Sequence, residues 1–271
     1  MTSARTYNSV VLVKQVPDTH NISGDVMKED GTINRSALPA IFNPEDLNAL
    51  EMALQVRERY GGTVTVVTMG PATAAEVLRE SLYRGADRVF LLSDRRFAGA
   101  DTLATSYTLK CTIEKLGQFD LVFCGRQAID GDTAQVGPEM AALLDFPYAT
   151  FVKEIELPEG GAIRAVRQTD EGTEVWKFPM PALITVIKEI GEPRMPSLRH
   201  KMRAKKAEIP VWGAADLGLA PDPVGWCGSF TQVVRIFSPP RRGNRIQIEG
   251  PVEEQAEQLF QYLKNSKVPG L

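Results

Sequence analysis

Residues 125–138 form the segment of this sequence whose composition is best suited to binding chemistry. Glycines and small polar residues dominate it, it follows a predicted strand, and it leads into a predicted helix that ends near Leu144. Unpaired N–H groups and the positive end of the helix dipole meet at such a junction, so we expect it to bind an anion, and a phosphate is the natural ligand. Thr133 and Gln135 would donate hydrogen bonds, and Arg126 would offer a forked cation.

Two glycines and two aspartates complete this prediction. Gly125 and Gly131 would let the backbone approach a ligand closely. The carboxylates of Asp130 and Asp132 repel a phosphate, so we expect one of them to cap the helix and the other to meet a ribose or flavin group. The alternative interpretation is an ordinary Asp-Gly-Asp turn that caps a helix of the core.

A second helix start, at residues Asn43, Pro44, Glu45 and Asp46, has the composition of a helix N-terminus. Asn43 suits the cap, Pro44 suits the first helical position, and the two acidic residues place negative charge at the positive end of the dipole. A third strand-to-helix junction follows Met69. Because all three starts belong to one edge of the predicted sheet, a single nucleotide would be able to contact all of them. The alternative is that they are only a cap and a turn.

Short apolar, β-branched runs alternate with helix-period segments in the first half of the chain. This alternation predicts the fold class, which is an α/β protein with a doubly wound, mostly parallel sheet of the Rossmann-like, adenine-nucleotide-binding type. The predicted strands are residues 9–13, 63–68, 88–92 and 119–124. The predicted helices are residues 44–59, 72–84 and 101–116, and one that ends near residue 144.

The chain changes in character after residue 147. Four strand-like segments, at residues 150–157, 162–168, 173–178 and 182–187, are predicted to add antiparallel hairpins to the sheet. From residue 191 the chain is proline-rich and irregular until a helical pattern appears between residues 252 and 264. The sequence thus predicts a nucleotide-binding domain over 1–190, a partner-recognition loop over 191–206 and an extended C-terminal arm over 207–271 that wraps a partner.

The predicted recognition loop is basic. Between residues 194 and 206 it carries six Lys or Arg residues and no acidic residue, and apolar Met195, Leu198 and Met202 lie among cations such as Arg194 and Arg199. The aromatic residues that would favour nucleic-acid binding are missing. Two alternatives follow: a solvated basic turn, or a docking surface for an acidic protein that offers a small apolar hollow.

The composition argues against several functional classes. The chain has 31 basic and 34 acidic residues, so no overall charge favours nucleic acid or an anionic membrane. Its three separate cysteines and two histidines fit no zinc, disulfide or catalytic-triad pattern, and the P-loop motif is absent. Because the sequence shows neither a signal-type core nor an apolar run long enough for a membrane span, we expect a soluble cytoplasmic protein with no metal site and no membrane insertion.

Several motifs together resemble one family, the beta subunits of electron transfer flavoproteins, and they cover nearly the whole chain. The most specific is the stretch at residues 166–172 that leads to residues 181–185. The other matching motifs are Lys14-Gln15-Val16-Pro17-Asp18, Asn43-Pro44, Met69-Gly70-Pro71, Gly85-Ala86-Asp87 and Gln127-Ala128-Ile129-Asp130.

This resemblance implies a heterodimer in which the alpha subunit holds the electron-transferring FAD and the beta subunit binds AMP or a second FAD. It assigns partner docking to Arg194, Met195, Leu198 and Arg199, with Leu198 as the apolar anchor for an acyl-CoA dehydrogenase. It assigns nucleotide contacts to Leu12, Asn43, Pro44, Glu45, Asp46, Met69, Gly125, Arg126, Gln127, Ala128, Ile129, Asp130, Gly131, Asp132, Thr133, Ala134, Gln135 and Val136.

The small residues of the binding loop resemble the branch of the family whose beta subunit holds FAD and performs electron bifurcation. Gly131 and Ala134 would leave space for the larger cofactor. The resemblance implies that NADH delivers a hydride to this FAD, that one electron passes through the alpha-subunit FAD to an acyl-CoA dehydrogenase, and that the other reduces ferredoxin or flavodoxin. Two alternatives stay open: a non-bifurcating carrier subunit that binds structural AMP, and a stand-alone adenine-nucleotide module.

Overall fold

The computed structural model describes residues 5–18, 39–157, 161–220, 223–232, 234 and 246–266. The chain divides into two compact units, Met1–Val233 and Val234–Leu271. All strands of the described residues lie in the first unit, and so does the candidate site.

The described residues of the first unit contain eleven strands. They are β1 (Ser9–Leu12), β2 (Gln15–Pro17), β3 (Ala40–Phe42), β4 (Val64–Met69), β5 (Arg88–Leu92), β6 (Leu121–Gly125), β7 (Tyr148–Glu156), β8 (Ala162–Thr169), β9 (Gly172–Pro179), β10 (Ala182–Val186) and β11 (Val211–Trp212). Nine form one sheet in the order β11-β5-β4-β1-β6-β10-β7-β8-β9, and β2 pairs with β3 in a separate antiparallel ribbon. From β11 to β7 the strands run parallel, and the β7-β8-β9 extension is antiparallel.

Helices cover both faces of the parallel part of this sheet. The described helices are α1 (Pro44–Tyr60), α2 (Ala75–Arg84), α3 (Thr102–Leu116), α4 (Val136–Leu144), α5 (Leu198–Ala204), α6 (Gly225–Gly228) and, in the second unit, α7 (Val252–Asn265). Successive β1 residues enter different cores, because side chains of a strand alternate between the two faces. Val11 packs in a core with Leu50 of α1, whereas Val10 packs in a core with Leu109 of α3. The predicted doubly wound α/β fold is therefore confirmed.

The structure corrects three details of the prediction. The segment predicted as a fourth hairpin strand is β10, which runs parallel and lies between β6 and β7. Its residues, four of them apolar and the fifth Thr185, are all buried, as expected for a strand covered on both faces. The region predicted as irregular after residue 191 contains the short helix α5, and β11 lies beside β5 in the main sheet. The helix predicted from residue 72 begins with a 3-10 turn, and α2 starts at Ala75.

Candidate functional site

The carboxyl ends of the central strands meet at one edge of the sheet, and the candidate site lies there. The chain runs from β1 outward to β4 and β5, and then crosses to β6 on the other side of β1. The order of strands therefore reverses between β1 and β6, and ligands of open α/β sheets bind at this topological switch point. Leu12 ends β1, Met69 ends β4 and Gly125 ends β6, so the structure brings these three predicted residues to the same edge.

The side chain of Asn43 holds the loop that follows β6. Asn43 is fully buried, and its Nδ2 donates to the carbonyl oxygen of Gln127 at 2.9 Å. Its Oδ1 accepts from the backbone N–H of Ile129 at 3.2 Å. The predicted side-chain cap of α1 is wrong, because no backbone N–H of α1 donates to this side chain. The amide instead pairs with one donor and one acceptor of the loop, as a peptide group would.

Two carboxylates of α1 hold the same loop. Glu45 accepts from the backbone N–H of Gln127 at 3.0 Å and from the guanidinium of Arg126 at 2.6 Å. Asp46 accepts from the backbone N–H of Gly125 at 3.0 Å and from that of Lys14 at 2.8 Å. We call the side chains of Asn43, Glu45 and Asp46 the loop template. It joins the ends of β1 and β6 to the first turn of α1.

Gly125 is required by this template. A Cβ at this position would come within 2.6 Å of both Oδ1 of Asp46 and the backbone carbon of Glu45. The close approach predicted for Gly125 is therefore made to α1 of the same chain. At Gly131, in contrast, an added Cβ would meet no atom of the described residues within 4 Å, so the space beside this part of the loop is open.

The carboxyl group of Asp46 is buried beneath the loop. Burial raises its pKa from 3.8 to about 7, although hydrogen bonds from the N–H groups of Gly125 and Lys14 oppose this shift. An acid with a raised pKa binds more protons in the folded than in the unfolded state between these two values. The stability that this group contributes is therefore complete below about pH 4 and is lost as the pH rises through about 7.

We expect Asp46→Asn to remove this pH dependence, because the amide is neutral at every pH. Relative to the variant, the wild type should lose up to about 4 kcal/mol of unfolding free energy between pH 4 and pH 8. Urea unfolding of both proteins across this range measures the difference. A difference that is independent of pH would show that Asp46 does not titrate with a raised pKa.

The outer part of the loop has an unusual backbone. Asp132 and Ala134 have φ angles of 51° and 54°, a left-handed conformation that residues with a side chain rarely adopt. Such residues cluster at ligand-binding sites. Within the described chain, no group accepts a hydrogen bond from the backbone N–H of Thr133, Ala134 or Gln135. These groups precede the N-terminus of α4, where further N–H groups lack partners, and together they form the candidate anion site.

The predicted caps of α4 are wrong. The helix begins at Val136, too far along the chain for Asp130 or Asp132 to cap it. The two carboxylate oxygens of Asp130 instead accept hydrogen bonds from Nζ of Lys14, at 2.7 and 2.8 Å. Asp132 accepts one from Nε2 of Gln127 at 2.9 Å. The predicted acidic turn therefore has a structural role, which is to fix the shape of the loop.

Both cations of the loop region are paired within the chain. Lys14 contacts Asp130 and Arg126 contacts Glu45, and the Arg126 guanidinium lies 5.8 Å from the ring centre of Phe151. Because these partners neutralise the cations, an anion would be bound mainly by backbone N–H groups and neutral side chains. The forked cation predicted at Arg126 is thus paired with Glu45 through Nη2, whereas its Nε has no hydrogen-bond partner within the described chain.

Sequence reasoning missed one side chain of this region. The hydroxyl of Thr102, at the start of α3, contacts Oε1 of Gln135 and Oε1 of Glu139, each at 3.0 Å. Thr102 could have been found from the sequence, because α3 follows β5 of the same parallel sheet and its first residues therefore lie at the same strand-to-helix edge as the other helix starts. Asp101 caps α3 by accepting from the N–H of Ala104 at 2.9 Å.

The predicted docking residues differ in whether their side chains are exposed or contact the rest of the chain. Met195 and Leu198 are 81% and 75% exposed, and Arg199 is exposed beside them. The guanidinium of Arg194 instead contacts Glu51 and Glu58 of α1.

The described residues contain no cluster of three or more histidine, cysteine or acidic side chains that would hold a metal ion. Among the described helices, none has the length and apolar character needed to cross a membrane.

The fold and the edge define the class as a doubly wound, Rossmann-like α/β protein with a candidate anion site at its switch point. Residues 30–217 match the family model of the electron transfer flavoprotein domain. The chain is 46% identical over 261 residues to the caffeyl-CoA reductase-Etf complex subunit CarD of Acetobacterium woodii, which covers 96% of this chain and 98% of the relative. It is 44% identical over 258 residues to the electron transfer flavoprotein subunit beta of Megasphaera elsdenii, with coverage of 93% and 94%. It is 46% identical over 248 residues to the protein FixA of Sinorhizobium fredii, with coverage of 89% and 86%.

The chain therefore belongs to the electron transfer flavoprotein beta-subunit family. This confirms the resemblance identified from the motifs.

Proposed function

We propose that this chain is the beta subunit of a heterodimeric electron transfer flavoprotein and that it binds FAD on the loop at residues 125–136. In this proposal NADH is the electron donor, and the two electrons go separately to the alpha-subunit FAD and an acyl-CoA dehydrogenase, and to ferredoxin or flavodoxin. The observation that carries the proposal is the loop itself. The side chains of Asn43, Glu45 and Asp46 hold its first part, and the backbone N–H groups of residues 133–135 have no acceptor within the described chain.

The donor set fits a nucleotide. The N–H groups of Thr133, Ala134 and Gln135 and the N-terminus of α4 would hold its phosphates, because unpaired N–H groups and the helix dipole favour an anion. The open space beside Gly131 favours a ligand that extends beyond one adenylate, which is why we prefer FAD to AMP. When bound, FAD would supply the redox chemistry, and the chain would supply its position and its polar surroundings.

The protein's own part in this function is to keep the loop in one shape. Loop backbone groups from residues 125 to 129 are bonded to buried or half-buried side chains, so the loop is ordered before a ligand arrives. Preorganisation reduces the entropy lost on binding. The pairs Lys14–Asp130 and Arg126–Glu45 prevent the carboxylates from repelling the phosphates.

AMP is the second candidate ligand, because the donor set of the site also fits it. Both loop cations are already paired, so the site offers mainly neutral donors, and these suit a single phosphate as well as a pyrophosphate. With AMP the heterodimer would be a non-bifurcating carrier.

The exposed side chains of Met195, Leu198 and Met202 support docking to a partner protein. Leu198 and Met202 lie four residues apart on one side of α5, and Met195 precedes the helix; the exposed fractions are 81% for Met195, 75% for Leu198 and 70% for Met202. We call these three side chains the docking patch. Exposed cations, Arg199, Lys201, Arg203 and Lys205, surround it. We propose that it receives an acyl-CoA dehydrogenase whose surface is acidic around an apolar hollow.

The arm proposed for residues 207–271 would contact the alpha subunit. In the second unit α7 exposes the apolar side chains of Val252, Leu259 and Phe260, as expected if a partner covers them. We propose a cytoplasmic location, and the three free cysteines are in keeping with a reducing compartment.

Anaerobic assays of the heterodimer test the bifurcating function. We expect ferredoxin or flavodoxin to be reduced by NADH only when an acyl-CoA dehydrogenase and its enoyl-CoA acceptor are also present. Reduction without the acceptor would indicate simple electron transfer, and a heterodimer that does not react with NADH would contradict the proposed function.

A further inference from the structure

The docking patch is attached to α1 by the side chain of Arg194, which comes just before it in the chain. The guanidinium Nε and Nη2 of Arg194 donate to the two oxygens of Glu51 at 2.8 and 2.9 Å. Its Nη2 also donates to Glu58 at 3.1 Å, and Nη1 contacts the same carboxylate. The backbone N–H of Arg194 donates to Glu51 as well, at 3.1 Å. We call this arrangement the Arg194 clamp.

The Arg194 clamp is formed on one face of the helix α1. Glu51 and Glu58 are seven residues apart, which places them two turns apart on the same side of α1. The side chain of Glu51 is only 8% exposed and that of Arg194 is 27% exposed. A forked, partly buried contact of this kind is geometrically specific, and lysine cannot replace it. The hydrogen bonds from Arg194 also hold the pKa of Glu58 below its ordinary value.

Neighbouring contacts fix the rest of the segment. Arg84 of α2 donates to the carbonyl oxygen of Arg194, and the N–H of Ser197 donates to the carbonyl oxygen of Tyr83 at 2.9 Å. The hydroxyl of Ser197 then caps α5 by accepting from the N–H of His200 at 3.1 Å. The polar groups in these contacts are paired within the chain, whereas the docking patch and the cations near it are exposed.

We infer that Arg194, Glu51 and Glu58 are positioning residues for partner docking, and that Arg194 itself does not contact the partner. The clamp holds the docking patch on α1, the helix whose first turn also holds the nucleotide loop. Both proposed sites are thereby placed relative to one rigid element. This inference rests on the docking function proposed above, and it changes the role predicted for Arg194.

The test compares Glu51→Gln, Arg194→Lys and the double variant in the complete heterodimer. The probe is an acyl-CoA dehydrogenase that accepts electrons from the reduced wild-type heterodimer. We expect each single variant to raise the KM for the heterodimer about 10-fold with kcat and nucleotide content unchanged, as for the loss of a partly buried charged contact. The double variant should be no worse than the poorer single variant, because both break one contact.

Glu114→Gln is the matched control. It removes one carboxylate from the Lys110–Glu114 pair on α3, and the KM should stay at the wild-type value. If Arg194 contacted the partner directly, Arg194→Lys would retain most of the affinity and Glu51→Gln would change little. That pattern would overturn the inference.

A second measurement keeps the inference separate from the docking function. Trypsin cuts after the exposed cations of α5, and cleavage requires local opening of the segment. We expect Glu51→Gln to increase the cleavage rate at Arg199 and Arg203 about 10-fold, and Glu114→Gln to leave it unchanged. An unchanged cleavage rate in Glu51→Gln would contradict the inference that the Arg194 clamp holds this segment in place. A reduced wild-type heterodimer that transfers electrons to no acyl-CoA dehydrogenase, together with faster cleavage of Glu51→Gln, would overturn the docking function alone.

Discussion

Replacing Asn43 by alanine is expected to remove most of the nucleotide from the beta subunit. The variant loses the contacts to the carbonyl oxygen of Gln127 and to the N–H of Ile129, and it leaves both groups unpaired beside a fully buried position. A lost hydrogen bond with an unsatisfied partner costs about 1–3 kcal/mol. If this free energy destabilises the ligand-binding conformation of the loop, nucleotide affinity falls about 10- to 100-fold.

The measurement is the nucleotide content of the purified heterodimer, followed by titration of the stripped protein with FAD and with AMP. Asn8→Ala is the matched control. Asn8 accepts a hydrogen bond from Thr63 at 2.8 Å, but it precedes β1 and lies at the opposite edge of the sheet. Asn8→Ala should lower the stability of the protein without weakening nucleotide binding. Equal nucleotide affinity in Asn43→Ala and wild type would show that the template does not support the binding loop.

Replacing Leu198 is expected to disable electron transfer to the dehydrogenase while leaving the fold intact. Leu198 is 75% exposed, so its removal should change stability by no more than about 0.5 kcal/mol. An apolar anchor at the centre of an interface contributes about 1–3 kcal/mol, so Leu198→Ala should raise the KM roughly 10- to 100-fold. Leu198→Asp should have a larger effect, because an acidic partner would repel it.

The design of the aspartate variant separates docking from folding. Leu198 is the first residue of α5, where a negative charge interacts favourably with the helix dipole, so the variant should fold. Val211→Ala provides the control, because Val211 is 54% exposed on β11, outside the docking patch. Steady-state electron transfer to the dehydrogenase measures the effect. A wild-type KM for Leu198→Asp would exclude this residue from the interface.

Local patterns in the sequence predicted most of the fold. The alternation of apolar and helix-period segments predicted the parallel sheet, and the bounds of α1 and α3 agree with the prediction to within a residue or two. The placement of β10 was not predictable in this way. Its pairing with β6 and β7 depends on contacts between distant parts of the chain, which local patterns do not contain.

The candidate site was likewise predicted where it depends on local patterns and not where it depends on distant contacts. The strand-to-helix rule located the edge and the loop, because it depends on local backbone geometry. It did not reveal what Asn43 does, because the same side chain can cap a helix or bond to a loop 84 residues away. The contact of Arg194 with Glu51 spans 143 residues, and a basic segment in the sequence gives no indication of an acidic partner within the chain.

The flavin and AMP content of the wild-type heterodimer, released by denaturation after copurification with the alpha subunit, separates a bifurcating subunit from a simple carrier. We expect two FAD per heterodimer and no AMP. One FAD and one AMP would contradict the proposed bifurcating function, and would identify this chain as the subunit of a simple electron carrier.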